Sequence, residues 1–128
     1  MRLNHIELHV PDVAATAAFF IDYLGLTLID ERANGALAIL SDGGGLELVL
    51  SCAYEKFGSE DQSQRRRVSY HVGFIVETRG EVDRAFAAMK SGGVELPEEP
   101  REMRGGWLFY CHAPGHVLVE IGARELYA

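Results

Sequence analysis

The segment Pro114-Gly115-His116-Val117-Leu118-Val119-Glu120-Ile121-Gly122 contains one carboxylate inside an otherwise apolar strand. Its opening proline and glycine are typical of a turn, and the apolar run that follows is typical of a buried strand. Burying a carboxylate costs free energy unless a nearby charge or hydrogen bonds compensate for it, and a bound cation is one candidate. The segment therefore raises the question of which other side chains surround Glu120.

The chain has 128 residues, the length of a single domain, with a hydrophobic share of 48% and a charged share of 24%. These values are typical of a globular protein. No apolar run approaches the roughly 20 residues that a membrane span needs, and the first residues lack a signal-peptide core, so we expect a cytoplasmic location. The net charge of −7 gives no electrostatic reason to expect nucleic acid or an anionic membrane as a partner.

Two minor features are expected to have no part in the chemistry. Cys52 and Cys111 are expected to be reduced, because the chain shows no export signal. The basic cluster at residues 65–67 is expected to be a solvated turn, with a contact to an anionic substrate as the alternative.

The first half of the chain, residues 1–50, has the pattern of a βαβββ unit. Residues 4–10 alternate between two faces, and the polar face carries His5, Glu7 and His9. A helix is expected between Asp12, its N-cap, and Gly25, its C-terminal stop. Three short strands are expected at residues 26–30, 37–40 and 46–50.

A loop at residues 51–67 leads to a second βαβββ unit, residues 68–122. A strand at 68–76 precedes a helix over about 81–91, and further strands are expected at 94–96, 107–111 and 116–121. Residues 97–106 are expected to form a mobile loop. The expected fold class is α+β: one domain, residues 1–128, in which two tandem βαβββ units form a curved mixed sheet around a metal-binding cavity, with the helices on the outer face.

The repeat places one histidine on the first strand and one glutamate on the last strand of each half. Each side chain points away from the face that packs against the helix. Two imidazoles and two carboxylates suit a first-row divalent ion and leave positions open for water or substrate. The alternative is that these are ordinary polar residues on the solvated face of a sheet. The four candidate ligands are His5, Glu47, His71 and Glu120.

Three stretches of the sequence resemble the vicinal oxygen chelate superfamily, which includes glyoxalase I, extradiol dioxygenases and bleomycin-binding resistance proteins. The resemblance covers nearly the whole chain. It rests on the paired βαβββ units and on residues 3–12, 70–74 and 109–120, which read LNHIELHVPD, YHVGF and FYCHAPGHVLVE.

The resemblance implies a role for each candidate ligand. His5, His71 and Glu120 match the metal triad of most enzymatic members, and Glu47 matches the fourth ligand of glyoxalase I. Bleomycin-binding members generally lack these ligands, and extradiol dioxygenases usually have another residue at the position of Glu47. Glu47 therefore favours a lyase or isomerase. The ion is one divalent metal (Ni, Zn, Mn or Fe), and its identity stays open.

Some further positions carry the same residue type as these enzymes, and others carry a different one. Tyr110 matches the tyrosine that extradiol dioxygenases use beside the metal. Arg104 resembles a basic residue before paired glycines in glyoxalase I and is a candidate substrate contact, with a solvated loop arginine as the alternative. His9 stands where glyoxalase I usually has an arginine for glutathione, and Ser51 stands near the position of an asparagine with the same role. Whether glutathione or another thiol is used therefore stays open.

Strand parity predicts which side chains share the face of the metal. Four polar residues are expected there as substrate contacts or acid–base groups: Glu7, His9, Tyr110 and His112. Trp107 and Phe109 are expected to pack toward the helices.

The expected function is that of a metal-dependent enzyme. We expect a lyase or isomerase that acts on a small oxygenated carbonyl compound through a metal-stabilised enediolate, with Glu120 and Glu47 as candidate bases. An Fe(II) extradiol dioxygenase is the first alternative, and a drug- or metabolite-binding protein without chemistry is the second. From the resemblance alone, a homodimer is expected.

Overall fold

A computed structural model describes residues 1–52 and 70–124 of the chain. The two helices are α1 (Val13–Leu24) and α2 (Arg79–Ser91). The eight strands are β1 (His5–His9), β2 (Thr27–Arg32), β3 (Leu37–Ser41), β4 (Glu47–Ser51), β5 (Val72–Ile75), β6 (Arg101–Met103), β7 (Gly106–Ala113) and β8 (Val117–Ala123). The basic cluster at 65–67 lies outside the described residues.

The strands form two four-stranded mixed sheets with the same topology. Their orders are β1-β4-β3-β2 and β5-β8-β7-β6, and in each sheet the first strand runs parallel to the last strand of its βαβββ unit. The predicted α+β class and the two βαβββ units are confirmed. The chain divides into two compact units: the first contains the described residues of Met1–Arg66 together with Pro114–His116, and the second contains those of Arg67–Ala113 and Val117–Ala128.

In the first unit, α1 is positioned by its two ends. Asp12 is the N-cap, and its Oδ1 accepts a hydrogen bond from the backbone N–H of Ala15 at 2.9 Å. Gly25 ends the helix in the left-handed conformation, with φ of 72°. The buried face of α1 covers the sheet through Val13, Ala17 and Phe20. As the alternation predicts, Leu8 and Val10 are buried, so the polar side chains of β1 lie on the other face.

In the second unit, α2 begins with a capping box. Thr78 accepts a hydrogen bond from the Glu81 backbone N–H at 3.2 Å, and the Glu81 carboxylate accepts one from the Thr78 N–H at 2.9 Å. Val82 and Met89 are the buried helical residues. Apolar side chains of β7 and β8 complete this core, and Phe109 lies edge-on to the Phe86 ring of α2, with the two ring centroids 5.3 Å apart.

Four predicted elements differ from the structure. The strand expected at residues 68–76 is shorter, because β5 spans Val72–Ile75 and neither Tyr70 nor His71 belongs to it. The second helix starts at Arg79 rather than near residue 81, because Thr78 supplies the cap. Residues 94–96 form no strand: Glu95 makes only an isolated bridge to His112. Strand β6 lies within the segment 97–106 that was expected to be a mobile loop, where it pairs with β7.

Neither helix of the described part of the chain is long and apolar enough to cross a membrane.

Candidate functional site

The first unit places His5 and Glu47 side by side on the polar face of its sheet. They are register partners on the parallel strands β1 and β4, so their side chains project in the same direction. His5 is exposed and Glu47 is half-buried. His5 Nδ1 lies 3.1 Å from Asn4 Oδ1, a hydrogen bond that orients the ring. These two predicted ligands can therefore contact one ion within this unit.

A hydrogen-bonded group of three side chains continues along the same face. Ser51, which is fully buried, donates its hydroxyl to Glu7 Oε2 at 2.8 Å. The same carboxylate oxygen lies 3.2 Å from His9 Nε2. Glu7 is therefore held by Ser51 and in turn orients the His9 ring. The predicted position of Glu7 and His9 on the face of His5 is confirmed by the alternation of β1.

The second unit brings His71, Tyr110 and Glu120 together. Tyr110 and Glu120 are register partners on β7 and β8, and the Tyr110 hydroxyl donates a hydrogen bond to Glu120 Oε1 at 2.8 Å. His71, immediately before β5, lies edge-on to Tyr110, with the ring centroids 5.4 Å apart. Glu120 is only half-buried, so the carboxylate that the sequence places among apolar neighbours faces the open side of the sheet.

Gly73 leaves the space that the second carboxylate oxygen of Glu120 occupies. Gly73 is the register partner of Glu120 on the parallel strand β5. A Cβ atom at position 73 would lie 3.3 Å from Glu120 Oε2, which is tighter than an ordinary contact. Within the described residues, this oxygen accepts no hydrogen bond, while Tyr110 occupies the other oxygen. Glu120 therefore has one fixed oxygen and one that is available to a ligand.

The environment of Tyr110 keeps its hydroxyl protonated. Partial burial raises the pKa of the phenol above its ordinary value, and the hydrogen bond to Glu120 and the charge of that carboxylate raise the pKa further. The charges of Arg104 and Arg101 oppose this effect. Tyr110 therefore acts as a hydrogen-bond donor at neutral pH.

A cavity of about 170 Å³ opens beside His71 and Glu120 in the second unit. Arg104, a predicted substrate contact, is among its lining residues. Sequence reasoning missed Arg124, which directly follows β8, although the period of two that relates Glu120 to Gly122 continues to position 124. The described residues that line it are His71, Ile75, Met103, Arg104, Gly106, Leu108, Glu120, Gly122, Ala123 and Arg124.

The remaining predicted residues of this unit lie on the two faces that parity assigns. His112 is the register partner of Leu118 on the face of Glu120, and its backbone N–H donates to Glu95 O at 3.0 Å. Trp107 contacts α2, because its Nε1–H donates to Asp83 Oδ1 at 2.8 Å and the Arg79 guanidinium lies 3.5 Å above its ring. The predicted packing of Trp107 toward the helix is confirmed.

Two βαβββ units, each with a histidine on or just before its first strand and a glutamate on its last strand, define a protein of the glyoxalase fold. The family model described as "Glyoxalase/Bleomycin resistance protein/Dioxygenase superfamily" matches residues 2–121. The chain belongs to this superfamily. Among curated proteins, none matches the sequence.

Solved structures of glyoxalase-family proteins also resemble this chain. A protein described as a possible glyoxalase from Bacillus cereus is 30% identical, with a TM-score of 0.78 over 94% of this chain and 97% of that chain. A glyoxalase/bleomycin resistance protein/dioxygenase family enzyme from Burkholderia phytofirmans PsJN is 19% identical, with a TM-score of 0.82 over 96% and 98%. Lactoylglutathione lyase from Agrobacterium tumefaciens is 21% identical, with a TM-score of 0.72 over 95% and 92%. The last two show likeness of fold alone.

Proposed function

We propose that the protein is a divalent-metal-dependent lyase or isomerase of the glyoxalase I type that acts on a small oxygenated carbonyl compound. The observation that carries the choice of reaction is the register pairing of Glu47 with His5, since a glutamate at this position favours a lyase or isomerase. Beside the cavity that His71 lines, Glu120 accepts a hydrogen bond from the Tyr110 hydroxyl at 2.8 Å. A carboxylate with one fixed oxygen and one available oxygen is suited to bind an ion or to move a proton.

The proposed ligands have the chemistry that a first-row divalent ion requires. His5 and Glu47 are adjacent in register in the first unit, and His71 and Glu120 line one cavity in the second. Two neutral imidazoles and two carboxylates balance a double positive charge. When bound, the ion supplies positive charge that stabilises an enediolate or alkoxide of the substrate.

The residues of the chain supply the remaining steps. Glu120, or Glu47 in its place, takes a proton from the hydroxyl-bearing carbon next to the substrate carbonyl and returns it to the carbonyl carbon, while the hydroxyl proton passes to the former carbonyl oxygen. Tyr110 orients Glu120 through its hydroxyl. Glu7 holds the His9 ring through a hydrogen bond. We place His9, at the C-terminal end of β1, and His112, on β7, as substrate contacts.

An Fe(II) extradiol dioxygenase is the second candidate. The contact between Tyr110 and Glu120, with His71 edge-on to the tyrosine ring, favours it, because the resemblance gives this tyrosine a role beside the metal in such enzymes.

A homodimer is also part of the proposal, since members of the superfamily are often dimers. Sedimentation of the purified chain measures that state.

The experiment that tests the proposal is exchange of the substrate α-proton with deuterated water, followed by proton NMR. Small α-hydroxyketones such as dihydroxyacetone are the probes, with protein purified without chelator. We expect exchange that depends on the bound metal and is lost in Glu120→Gln; full exchange in Glu47→Gln would rule out Glu47 as the base. Oxygen consumption with catechol by an iron-containing protein, without exchange, would instead establish the dioxygenase.

A further inference from the structure

The cavity of the second unit carries more positive than negative charge. Among the described residues that line it, Arg104 and Arg124 are positively charged and Glu120 is the one carboxylate. This local excess contrasts with the net charge of −7 of the whole chain. A cavity whose charge is opposite to that of the protein concentrates ligands of negative charge.

The two arginines of this cavity have no other partner among the residues that the structure describes. Within the described part of the chain, the side chains of Arg104 and Arg124 form no salt bridge and no side-chain hydrogen bond. Other arginines of the same unit do have partners: Arg101 Nε lies 3.1 Å from Glu98 Oε2, and Arg79 stacks on Trp107. Single exposed arginines are common on protein surfaces, but here two arginines line the same cavity as Glu120.

The backbone holds Arg104 at the cavity. Met103 and Gly106 are register partners, so β6 and β7 are joined by a two-residue turn, Arg104-Gly105. Both residues have positive φ, 52° and 77°, as a type I′ hairpin turn requires. Asparagine or glycine is usual at the first of these positions, and arginine is strained there. A short turn of this kind presents the guanidinium from a fixed point of the sheet.

Two glycines, Gly106 and Gly122, line the cavity together with the charged side chains. A Cβ atom at Gly106 would lie 2.5 Å from Ala123 O, and one at Gly122 would lie 3.0 Å from Leu108 Cβ. Gly122 lies on the same face of β8 as Glu120, and Arg124 follows the end of the strand two residues later, so position 122 places no side chain between the carboxylate and the arginine. The volume of about 170 Å³ is below the roughly 300–1,000 Å³ of pockets for drug-sized ligands, which favours a small substrate.

We propose that the substrate is a small oxyanion, a carbonyl compound bearing a carboxylate or a phosphate, and that Arg104 and Arg124 bind this group. Both anions accept paired hydrogen bonds from the planar guanidinium fork. The inference rests on the proposed function in one respect, namely that Glu120 faces the reacting carbons. The binding of the anion itself does not require the metal.

The test is an NMR titration of metal-free protein with sodium phosphate and, separately, with sodium acetate at constant ionic strength. We expect saturable shifts of the Gly106 and Gly122 amide signals with at least one anion, and the tighter of the two identifies the group. The double variant Arg104→Gln/Arg124→Gln should weaken binding by about 10-fold or more, because hydrogen bonds to charged groups are lost.

Arg101→Gln is the matched control, since Arg101 is in the same unit but pairs with Glu98. It should leave the affinity unchanged. Arg124→Gln alone, at an exposed position just after β8, repeats the test if the double variant unfolds. The inference is overturned if neither anion gives saturable shifts, or if Arg101→Gln weakens binding as much as the cavity variants. Metal content and α-proton exchange are measured separately, so either proposal can fail while the other stands.

Discussion

Glu120 has two carboxylate oxygens in different surroundings. Oε1 accepts the Tyr110 hydroxyl, and Oε2 faces the space that Gly73 leaves open. The cost of placing a carboxylate in an apolar strand is reduced because the side chain is only half-buried and hydrogen-bonded. This explains how the strand tolerates Glu120 before any ion binds.

Removing the Tyr110 hydroxyl should impair turnover more than metal binding. In Tyr110→Phe, Glu120 loses the donor that fixes it, and a hydrogen bond to a charged group is worth about 1.5–3 kcal/mol. We expect α-proton exchange to fall roughly 10- to 100-fold, with metal content unchanged. Tyr23→Phe, on α1 against Phe19, is the control and should retain full exchange. Unchanged exchange in Tyr110→Phe would show that Tyr110 does not orient the base.

A methyl group at position 73 should displace Glu120. The added Cβ of Gly73→Ala would lie 3.3 Å from Oε2, so the carboxylate has to move. We expect weaker metal binding in competition with a chelator, with little loss of stability, because alanine is less costly than glycine in a strand. Gly44→Ala, in an exposed turn, is the control. Equal metal affinity in the two variants would contradict the spacing argument.

The two cysteines should differ in reactivity. Cys111 is fully buried, and burial raises the pKa of its thiol to about 12, whereas Cys52 is exposed. At pH 8, iodoacetamide should label Cys52 and spare Cys111, as peptide mass spectrometry would report.

The raised pKa of Cys111 also predicts how stability depends on pH. Because the unfolded thiol ionises first, the contribution of Cys111 is complete below about pH 8.5 and is lost as the pH rises toward 12. Cys111→Ala should reduce this alkaline loss of stability. Rapid labelling of Cys111 in the folded protein would contradict its burial.

At the scale of the elements, most strands follow from alternation, whereas β6 does not. The faces of β1, β7 and β8 are readable because buried apolar residues alternate with polar ones. Arg101-Glu102-Met103 has no such pattern, and it becomes a strand only by pairing with β7. Arg104 lies in the turn between β6 and β7, so its position also depends on this pairing. Only the resemblance to glyoxalase I indicated Arg104 as a site residue.

The start of α2 was misplaced because its cap was overlooked. The pair Thr78 and Glu81 is a capping box visible in the sequence, and it sets the first helical residue at 79.

Gly73 and Arg124 were missed for a different reason. Their importance depends on the register of β5 against β8 and on the cavity beside it, and a single strand pattern contains neither.

Loss of the cap should weaken the second unit. Thr78→Ala removes the side chain that accepts the Glu81 N–H, and such changes cost about 1 kcal/mol of unfolding free energy. Urea denaturation measures this loss, and Thr27→Ala, on the exposed strand β2, serves as the control. A loss no greater than that of the control would show that the capping box does not stabilise α2.

At the scale of the whole molecule, the fold identifies the superfamily but not the reaction. Lyases, dioxygenases and binding proteins share this architecture, so the function has to be argued from the site. The repeat supplies a histidine and a glutamate in each half, and their shared role is the central proposal. Neither half alone offers four ligands of this set.

Metal content per chain tests that proposal most directly. Protein purified without chelator should contain about one divalent ion per chain by elemental mass spectrometry, and His5→Ala and Glu120→Gln, one change in each half, should each lose most of it. His9→Gln, on the same face as His5 but outside the ligand set, should retain the ion. Wild-type protein without metal, or full metal content in both ligand variants, would contradict the account.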